Sequence, residues 1–196
     1  MIAFKYTKCD GAEFISHLDL LRHIDRTLKR AKIKVKTSEG FHPHPKIYMN
    51  NPLGLGIKSF AEYCAVDCNY CENFKEAFNL NSPAGVKCLD FREVKENPNY
   101  AFNIDSCTYS AKGFAPFDIE EFLSKSELKI TDKRGREIDI RPRIYAIQFK
   151  NDELLFTLGC GEKNLRPDLF CEVIENLYGG KAGDITKISS NGKTTF

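Results

Sequence analysis

The chain has 196 residues, of which 42% are hydrophobic and 29% charged, a globular composition that excludes a disordered, collagenous or coiled-coil protein. Because no apolar run reaches the 18 or so residues of a membrane span and the first residues lack a signal peptide's apolar segment, we expect a cytoplasmic protein with no membrane contact and with its eight cysteines reduced. The formal net charge is only +2, but residues 1–60 carry a net charge of +6 and contain all four histidines.

The first half predicts the element order βαββαβ. A strand at 2–7 is followed by a helix over 16–32, whose N-cap Ser16 and third helical residue Asp19 form a capping-box pattern. Helical spacing predicts a buried stripe on this helix, with Arg22 and Arg26 off it; the stripe residues are Leu21, Ile24, Leu28 and Ala31. The remaining segments are a proline-broken loop at 38–46, strands at 46–50 and 60–68, a helix at 72–79 and a strand near 85–92.

The second half repeats this order without repeating the residues. Its predicted elements are a strand near 101–111, a helix at 118–126 that Asp118 opens, extended segments at 128–131, 136–141, 143–149 and 153–158, a helix at 167–178 and a strand near 184–189. We therefore predict an α+β fold of two tandem ferredoxin-like (βαββαβ) units at 1–97 and 98–190, followed by a frayed tail at 191–196.

Three cysteines form a C-x3-C-x2-C pattern that resembles the iron–sulfur motif of radical SAM enzymes. However, Cys64 and Cys68 fall on one face of a predicted strand, roughly 13 Å apart at about 3.3 Å per residue, which is too far to bind one cluster. We interpret them as buried thiols. An iron–sulfur or zinc site built on Cys64, Cys68 and Cys71 is the less favoured alternative, so no metal or cofactor is predicted.

The basic first half also carries a rigid, histidine-rich loop. In Phe41-His42-Pro43-His44-Pro45-Lys46, each proline holds the preceding histidine in an extended conformation, which suits either a surface for RNA or a protein partner, an H-x-H metal pair, or simple loop stiffening. Lysine and arginine that neutralise RNA phosphates release counterions, so Arg22, Arg26 and Lys46 are candidate phosphate contacts. A solvated basic surface is the alternative.

Two Arg-Pro pairs in the second half are further candidates for anion contact. Arg141 precedes Pro142, and Arg166 precedes Pro167 at the start of the last helix, where an anion could meet both the guanidinium and the helix N-terminus. A structural ion pair with a nearby carboxylate is an equally good interpretation.

Together, the motifs FISHLDLLR (14–22), SEGFHPHPK (38–46), PLGLGIKSFAEY (52–63), DIRP (139–142) and LRPD (165–168) resemble those of the radical SAM-linked protein family, an uncharacterised bacterial family of about this length. Members occur beside, or fused to, a B12-binding-type radical SAM protein, often near genes for ribonuclease G and ribosomal proteins. The resemblance implies RNA-related or ribosome-associated work and a radical SAM partner. The family's loop usually reads GFNPHPK, so His42 replaces an asparagine here.

These observations favour an RNA-binding or substrate-presenting accessory protein that works with a separate radical SAM enzyme. The RNA would be tRNA or rRNA, held by Arg22, Arg26, Phe41, His42, His44, Lys46, Arg141 and Arg166. The alternative is a metal-independent RNA endonuclease in which His17 acts as general base, since CRISPR repeat endonucleases are also built from tandem ferredoxin-like units.

Overall fold

The computed structural model describes residues 1–131 and 135–196 and has a mixed α+β fold, with a mostly antiparallel sheet and few helices. The five helices in this part of the chain are α1 (His17–Arg30), α2 (Phe74–Asn81), α3 (Tyr100–Asn103), α4 (Ile119–Ser124) and α5 (Pro167–Tyr178). The strands are β1 (Ile2–Lys8), β2 (Ile47–Met49), β3 (Lys58–Val66), β4 (Cys88–Glu93), β5 (Ile104–Ala111), β6 (Lys129–Thr131), β7 (Glu137–Asp139), β8 (Ile144–Lys150), β9 (Glu153–Gly159) and β10 (Ile185–Gly192).

The main sheet has the order β4-β1-β3-β10-β5-β9-β8, and β2 pairs with the far end of β3. Its only parallel contact in the described chain joins the two halves, where Thr186 and Lys187 of β10 lie beside Lys58 and Ser59 of β3. The β6–β7 hairpin forms a separate small sheet between α4 and β8. No helix in the described ranges is long and apolar enough to cross a membrane.

Helix α1 begins as the sequence predicts, because Ser16 accepts a hydrogen bond from the Asp19 amide. Its buried stripe consists of Leu20, Ile24, Thr27 and Leu28, so the predicted burial of Ile24 and Leu28 is confirmed, whereas Leu20 and Thr27 take the place of Leu21 and Ala31. Leu21 and Ala31 are only partly buried. Leu20 keeps the i, i+4, i+8 spacing with Ile24 and Leu28, so the prediction of Leu21 was wrong by one step around the helix.

Alternate residues of the central strands point to opposite faces of the sheet. Phe4, Cys64 and Val66 join a core cluster with the rings of Phe74 and Phe78 from α2. Residues of the other face, including Ala3, Tyr63 and Ala65, pack into the larger cluster of the second half. The first half thus has a core cluster of its own on one sheet face and contributes its other face to the cluster of the second half, and the predicted burial of Cys64 and Cys68 is confirmed.

Three predictions at the ends of elements were wrong. The strand expected at 101–111 begins only at Ile104, because residues 100–103 form α3. The second helix lies two residues later than predicted. The tail expected to be frayed is packed: Phe196 lies edge-on to Tyr63 with ring centroids 5.4 Å apart, and the guanidinium of Arg92 lies 4.3 Å from its ring centroid.

Candidate nucleic-acid interface

Three arginines follow one another at four-residue intervals along α1. Arg22, Arg26 and Arg30 line one side of an open groove of about 480 Å³, which Pro83 also lines. Residues four apart on a helix are neighbours on one face, so the three guanidinium groups form a row. Arg22 and Arg26 are the candidate phosphate contacts predicted from the sequence. The same four-residue spacing adds Arg30 to them.

The three arginines differ in the groups with which their guanidinium groups form hydrogen bonds. Arg22 donates to Asp19 at 3.0 Å, but both side chains are more than half exposed, so this pair contributes little to stability. Arg30 donates to the Asn81 carbonyl at 2.8 and 3.0 Å and so connects α1 to the end of α2. Arg26 is exposed between them. Arg22 and Arg26 can therefore turn toward a ligand with a smaller loss of structural contacts than Arg30.

His23 lies in the same groove and was missed by the sequence analysis. Its Nε2 atom is buried without a hydrogen-bond partner among the described residues. Burial lowers the pKa of this imidazole, and the cations of Arg30 and Arg26 lower it further. A neutral, unpartnered ring nitrogen beside three cations is suited to accept a proton when an anion enters the groove.

The histidine–proline loop is closed at its base and open at its tip. Thr37 bridges to Pro45, the Ser38 amide donates to the His44 carbonyl at 2.8 Å, and the His44 amide donates to Ser38 Oγ at 2.9 Å. Beyond this closure, His42 is exposed and Phe41 is fully exposed. The loop thus presents an aromatic ring to solvent on a braced backbone.

Lys46 does not join the arginine row. Its ammonium lies 4.0 Å from the carboxylate of Asp67, which Lys36 approaches to 2.9 Å, so Lys46 belongs to the base of the loop. The pairing of β2 with β3 places residue 46 at the edge of the sheet, and Lys46 does not line the groove of α1.

The two Arg-Pro sites also lie apart from α1, in the second half. Arg141 donates to the carbonyls of Leu123 and Ile144, so its guanidinium ties α4 to β8. Arg166 pairs with Asp168, which fits the structural interpretation, and lines a cavity between the halves. The guanidinium of Arg141 thus already has backbone acceptors within the fold.

His17 and the three cysteines occupy separate places. His17 is the first residue of α1; burial lowers its pKa, a trend that the field of Glu62 opposes and that of Lys8 reinforces. Cys71 is partly exposed and donates to Asn73 Oδ1 at 2.9 Å. Within the described part of the chain, no group of three or more histidine, cysteine, aspartate or glutamate side chains is arranged to hold a metal ion.

Comparisons with known proteins place the chain in a sequence family. The sequence model of a family described as "Uncharacterized protein conserved in bacteria (DUF2344)" matches residues 2–167. A search of curated proteins gave no match.

Similar solved structures include chains from three complexes. A chain of a Cbf5-Nop10-Gar1 complex has a TM-score of 0.48 and 12% identity, over 96% of this chain and 48% of that one. A chain of an H/ACA RNP bound to a substrate RNA has 0.47 and 14%, over 96% and 47%, and one of an archaeal Nop10-Cbf5 complex has 0.45 and 14%, over 95% and 46%. The chain thus spans about half the length of these structures.

Proposed function

We propose that this chain, which belongs to the DUF2344 family of uncharacterised bacterial proteins, is an accessory protein that binds RNA phosphates in the groove of α1. The observation that carries the proposal is the row of Arg22, Arg26 and Arg30 beside the unpartnered Nε2 of His23. Arginine forms two parallel hydrogen bonds with a phosphate, which makes such a row a suitable track for a nucleic-acid backbone. The concentration of positive charge in residues 1–60 supports the same assignment.

The proposal is tested by the salt dependence of RNA binding. We expect Arg22→Ala/Arg26→Ala to weaken binding to both tRNA and an rRNA fragment, and to lower the slope of log K against log salt by about 2 in magnitude, since each lost phosphate contact removes a little under one released ion. Lys150→Ala/Lys181→Ala removes the same charge from exposed positions in the second half and serves as the matched control. An unchanged slope for the α1 variant, or an equal loss in the control, would place the contact elsewhere.

The same samples distinguish binding from cleavage. An accessory protein leaves the RNA intact. Cleavage that His17→Ala abolishes would replace the proposal by the endonuclease alternative, in which the imidazole removes a proton from a ribose 2′-hydroxyl.

A radical SAM partner, which the family resemblance implies, is the second part of the proposal. The feature that supports a protein contact is the fully exposed ring of Phe41 on the closed loop at 38–46, because exposed aromatic rings often anchor protein interfaces. We expect Phe41→Ser to reduce capture of a B12-binding-type radical SAM protein at least tenfold. Leu80→Ser, at another highly exposed apolar residue, should leave capture unchanged.

We also infer that the two halves are ferredoxin-like units. The inference is supported by the strand orders β4-β1-β3-β2 and β10-β5-β9-β8. When the β6–β7 hairpin is treated as an insertion, the strands of each half lie in the order fourth, first, third and second, counted along the chain. Both orders are antiparallel throughout. An experimental structure with a different order in either half would contradict this assignment.

A further inference from the structure

A pair of cysteines lies beside a buried ion pair where the two halves of the sheet meet. Cys107 in β5 and Cys160, directly after β9, have their sulfur atoms 3.6 Å apart. The Cys160 amide donates to the Asp105 carbonyl, so Cys160 stands opposite Asp105 and diagonal to Cys107 on the same face of the sheet. Closing a disulfide of about 2.05 Å from this position needs a shift of only about 1.5 Å.

The surroundings of Cys107 favour a thiolate. The positive charge of the Lys187 ammonium on β10 favours the thiolate, whereas the Ser190 hydroxyl, whose oxygen lies 3.5 Å from the sulfur, donates its proton to the Ala61 carbonyl at 2.8 Å. Lys187 is itself held by Glu62 at 2.6 Å, and both side chains are only 3% exposed, so this cation is fixed in place. The hydrogen bond from Cys160, together with the Lys187 ammonium, outweighs burial and the opposing charge of Glu62 and lowers the pKa of Cys107 below its usual range.

A small cavity gives access to the pair. Cys107, Cys160 and Lys187 line it together with Asn50 and Arg166. Its volume is about 40 Å³, and one water molecule needs about 10–15 Å³ measured in the same way, so the cavity accepts a molecule of the size of hydrogen peroxide. Cys160 also faces a wider depression beside Phe102 and Tyr145, through which small molecules can reach the pair.

We propose that Cys107 and Cys160 are a reversible redox pair that a peroxide entering this cavity oxidises to a disulfide. The Cys107 thiolate attacks one peroxide oxygen, the O–O bond breaks, and hydroxide leaves and takes up a proton to become water. The resulting sulfenic acid is attacked by Cys160, whose proton leaves with the Cys107 oxygen as a second water while the S–S bond forms. The two thiols thus supply the two electrons that reduce the peroxide, and a dithiol reductant restores them by exchange.

Other cysteines of the chain provide internal controls. Cys171 is buried, and burial, reinforced by the fields of Glu175 and Asp168, raises its pKa to about 12. Cys64 is fully buried in the first half, and burial raises its pKa. Cys71 is partly exposed, as Cys160 is, and reports the rate at which a partly exposed thiol without a neighbouring cysteine oxidises. The proposed pair should react faster than all three.

The test treats reduced protein with substoichiometric hydrogen peroxide, alkylates the remaining thiols and identifies the modified peptides by mass spectrometry. We expect one species, 2 Da lighter and linked between Cys107 and Cys160, which dithiothreitol returns to the starting mass. Free Cys107 and Cys160 after oxidation of Cys71, or a disulfide that includes any other cysteine, would overturn the proposal.

Two variants separate the roles of the two thiols. In Cys160→Ser, dimedone should trap a sulfenic acid at Cys107, because the second thiol is missing. In Cys107→Ser, Cys160 should oxidise no faster than Cys71, because burial keeps the Cys160 thiol protonated. If Cys160→Ser fails to fold, Cys107→Ser and the wild-type kinetics still decide. Oxidation of Cys160 in Cys107→Ser at the rate at which the wild-type disulfide forms, or no dimedone adduct at Cys107 in Cys160→Ser, would contradict the mechanism.

Discussion

At the scale of single residues, Cys64 and Cys68 illustrate how a motif can match a pattern without sharing its chemistry. Cys64 lies within β3 and Cys68 two residues beyond its end, and both pack against α1 and α2. Burial raises the pKa of both thiols, which keeps them protonated at neutral pH. Their contribution is apolar packing.

We therefore predict that Cys64→Ser and Cys68→Ser each lower the free energy of unfolding by about 1–2 kcal/mol, because a hydroxyl replaces a thiol in the core. Urea denaturation measures the loss. Cys71→Ser, at the partly exposed position, is the control and should change stability by less than about 0.5 kcal/mol. A chromophore that disappears in either buried variant would show that the thiols bind a cluster.

The imidazole of His23 leads us to predict that RNA affinity depends on pH. Its pKa is lowered in the free protein, so the ring is neutral at pH 7.5, and a phosphate that offsets Arg26 and Arg30 raises that pKa. Binding then takes up a proton, and RNA affinity should increase between pH 7.5 and pH 6. In His23→Asn, which cannot be protonated, this part of the increase should disappear while His17 still titrates. Parallel pH profiles for the two proteins would exclude a phosphate beside His23.

At the scale of elements, the N-cap of α1 determines how well its first turn is ordered. Ser16 Oγ accepts from the Asp19 amide at 3.1 Å and donates to the Asp19 carboxylate at 2.7 Å. Replacing such a cap with alanine costs about 0.5–2 kcal/mol. We expect Ser16→Ala to lower the unfolding free energy within that range, as measured by urea denaturation, whereas Ser16→Asp should restore it. Equal stability of wild type and Ser16→Ala would show that packing alone holds the turn.

Element starts were predictable where the signal is local. The Ser16 and Asp118 caps both formed, since each needs only an amide three residues away. The stripe of α1 gained Leu20 in place of Leu21 because both leucines keep helical spacing with Ile24 and Leu28, and only the partner surface decides between them. That Arg22 and Arg26 lie off this stripe was predictable from helical spacing, but the place of Lys46 was not, because it depends on the pairing of β2 with β3.

At the scale of the whole molecule, the halves are joined by contacts between residues that lie far apart in the sequence. Glu62 in β3 and Lys187 in β10 are 125 residues apart, yet their atoms lie 2.6 Å from each other in the core. Ser59 and Asn50 donate to the same carboxylate at 2.7 and 2.9 Å. Burial raises the pKa of Glu62, but the Lys187 ammonium and these hydrogen bonds outweigh it and hold the pKa below its usual range.

We predict that Lys187→Met lowers the unfolding free energy by about 3–5 kcal/mol, because it leaves the Glu62 carboxylate buried without its cation. Lys58→Met removes an exposed ion pair with Asp184 at the same junction and should cost no more than about 1 kcal/mol. Urea denaturation compares them. Equal losses of unfolding free energy in the two variants would mean that the buried ion pair contributes no more to stability than the exposed one.

The acid sensitivity of the junction follows from the same carboxylate. Because the pKa of Glu62 is lower in the folded protein than the value of about 4.3 in an unfolded chain, its contribution is complete above that pH and is lost as the pH falls through the folded value. We expect wild type to lose stability over this interval more steeply than Glu62→Gln, with thermal denaturation as the measurement. Identical acid profiles would exclude Glu62 as a source of the acid sensitivity.

The pairing of β3 with β10 also constrains the order of events during synthesis on the ribosome. Lys58 and its partner Asp184 are separated by 126 residues, so β3 and β10 can pair only after the ribosome has synthesised the chain between them. Until then, the nascent first half has one open edge on β3 and a Glu62 carboxylate without its counter-ion. Exposed strand edges can template aggregation, so we expect this intermediate to aggregate more readily than the complete fold.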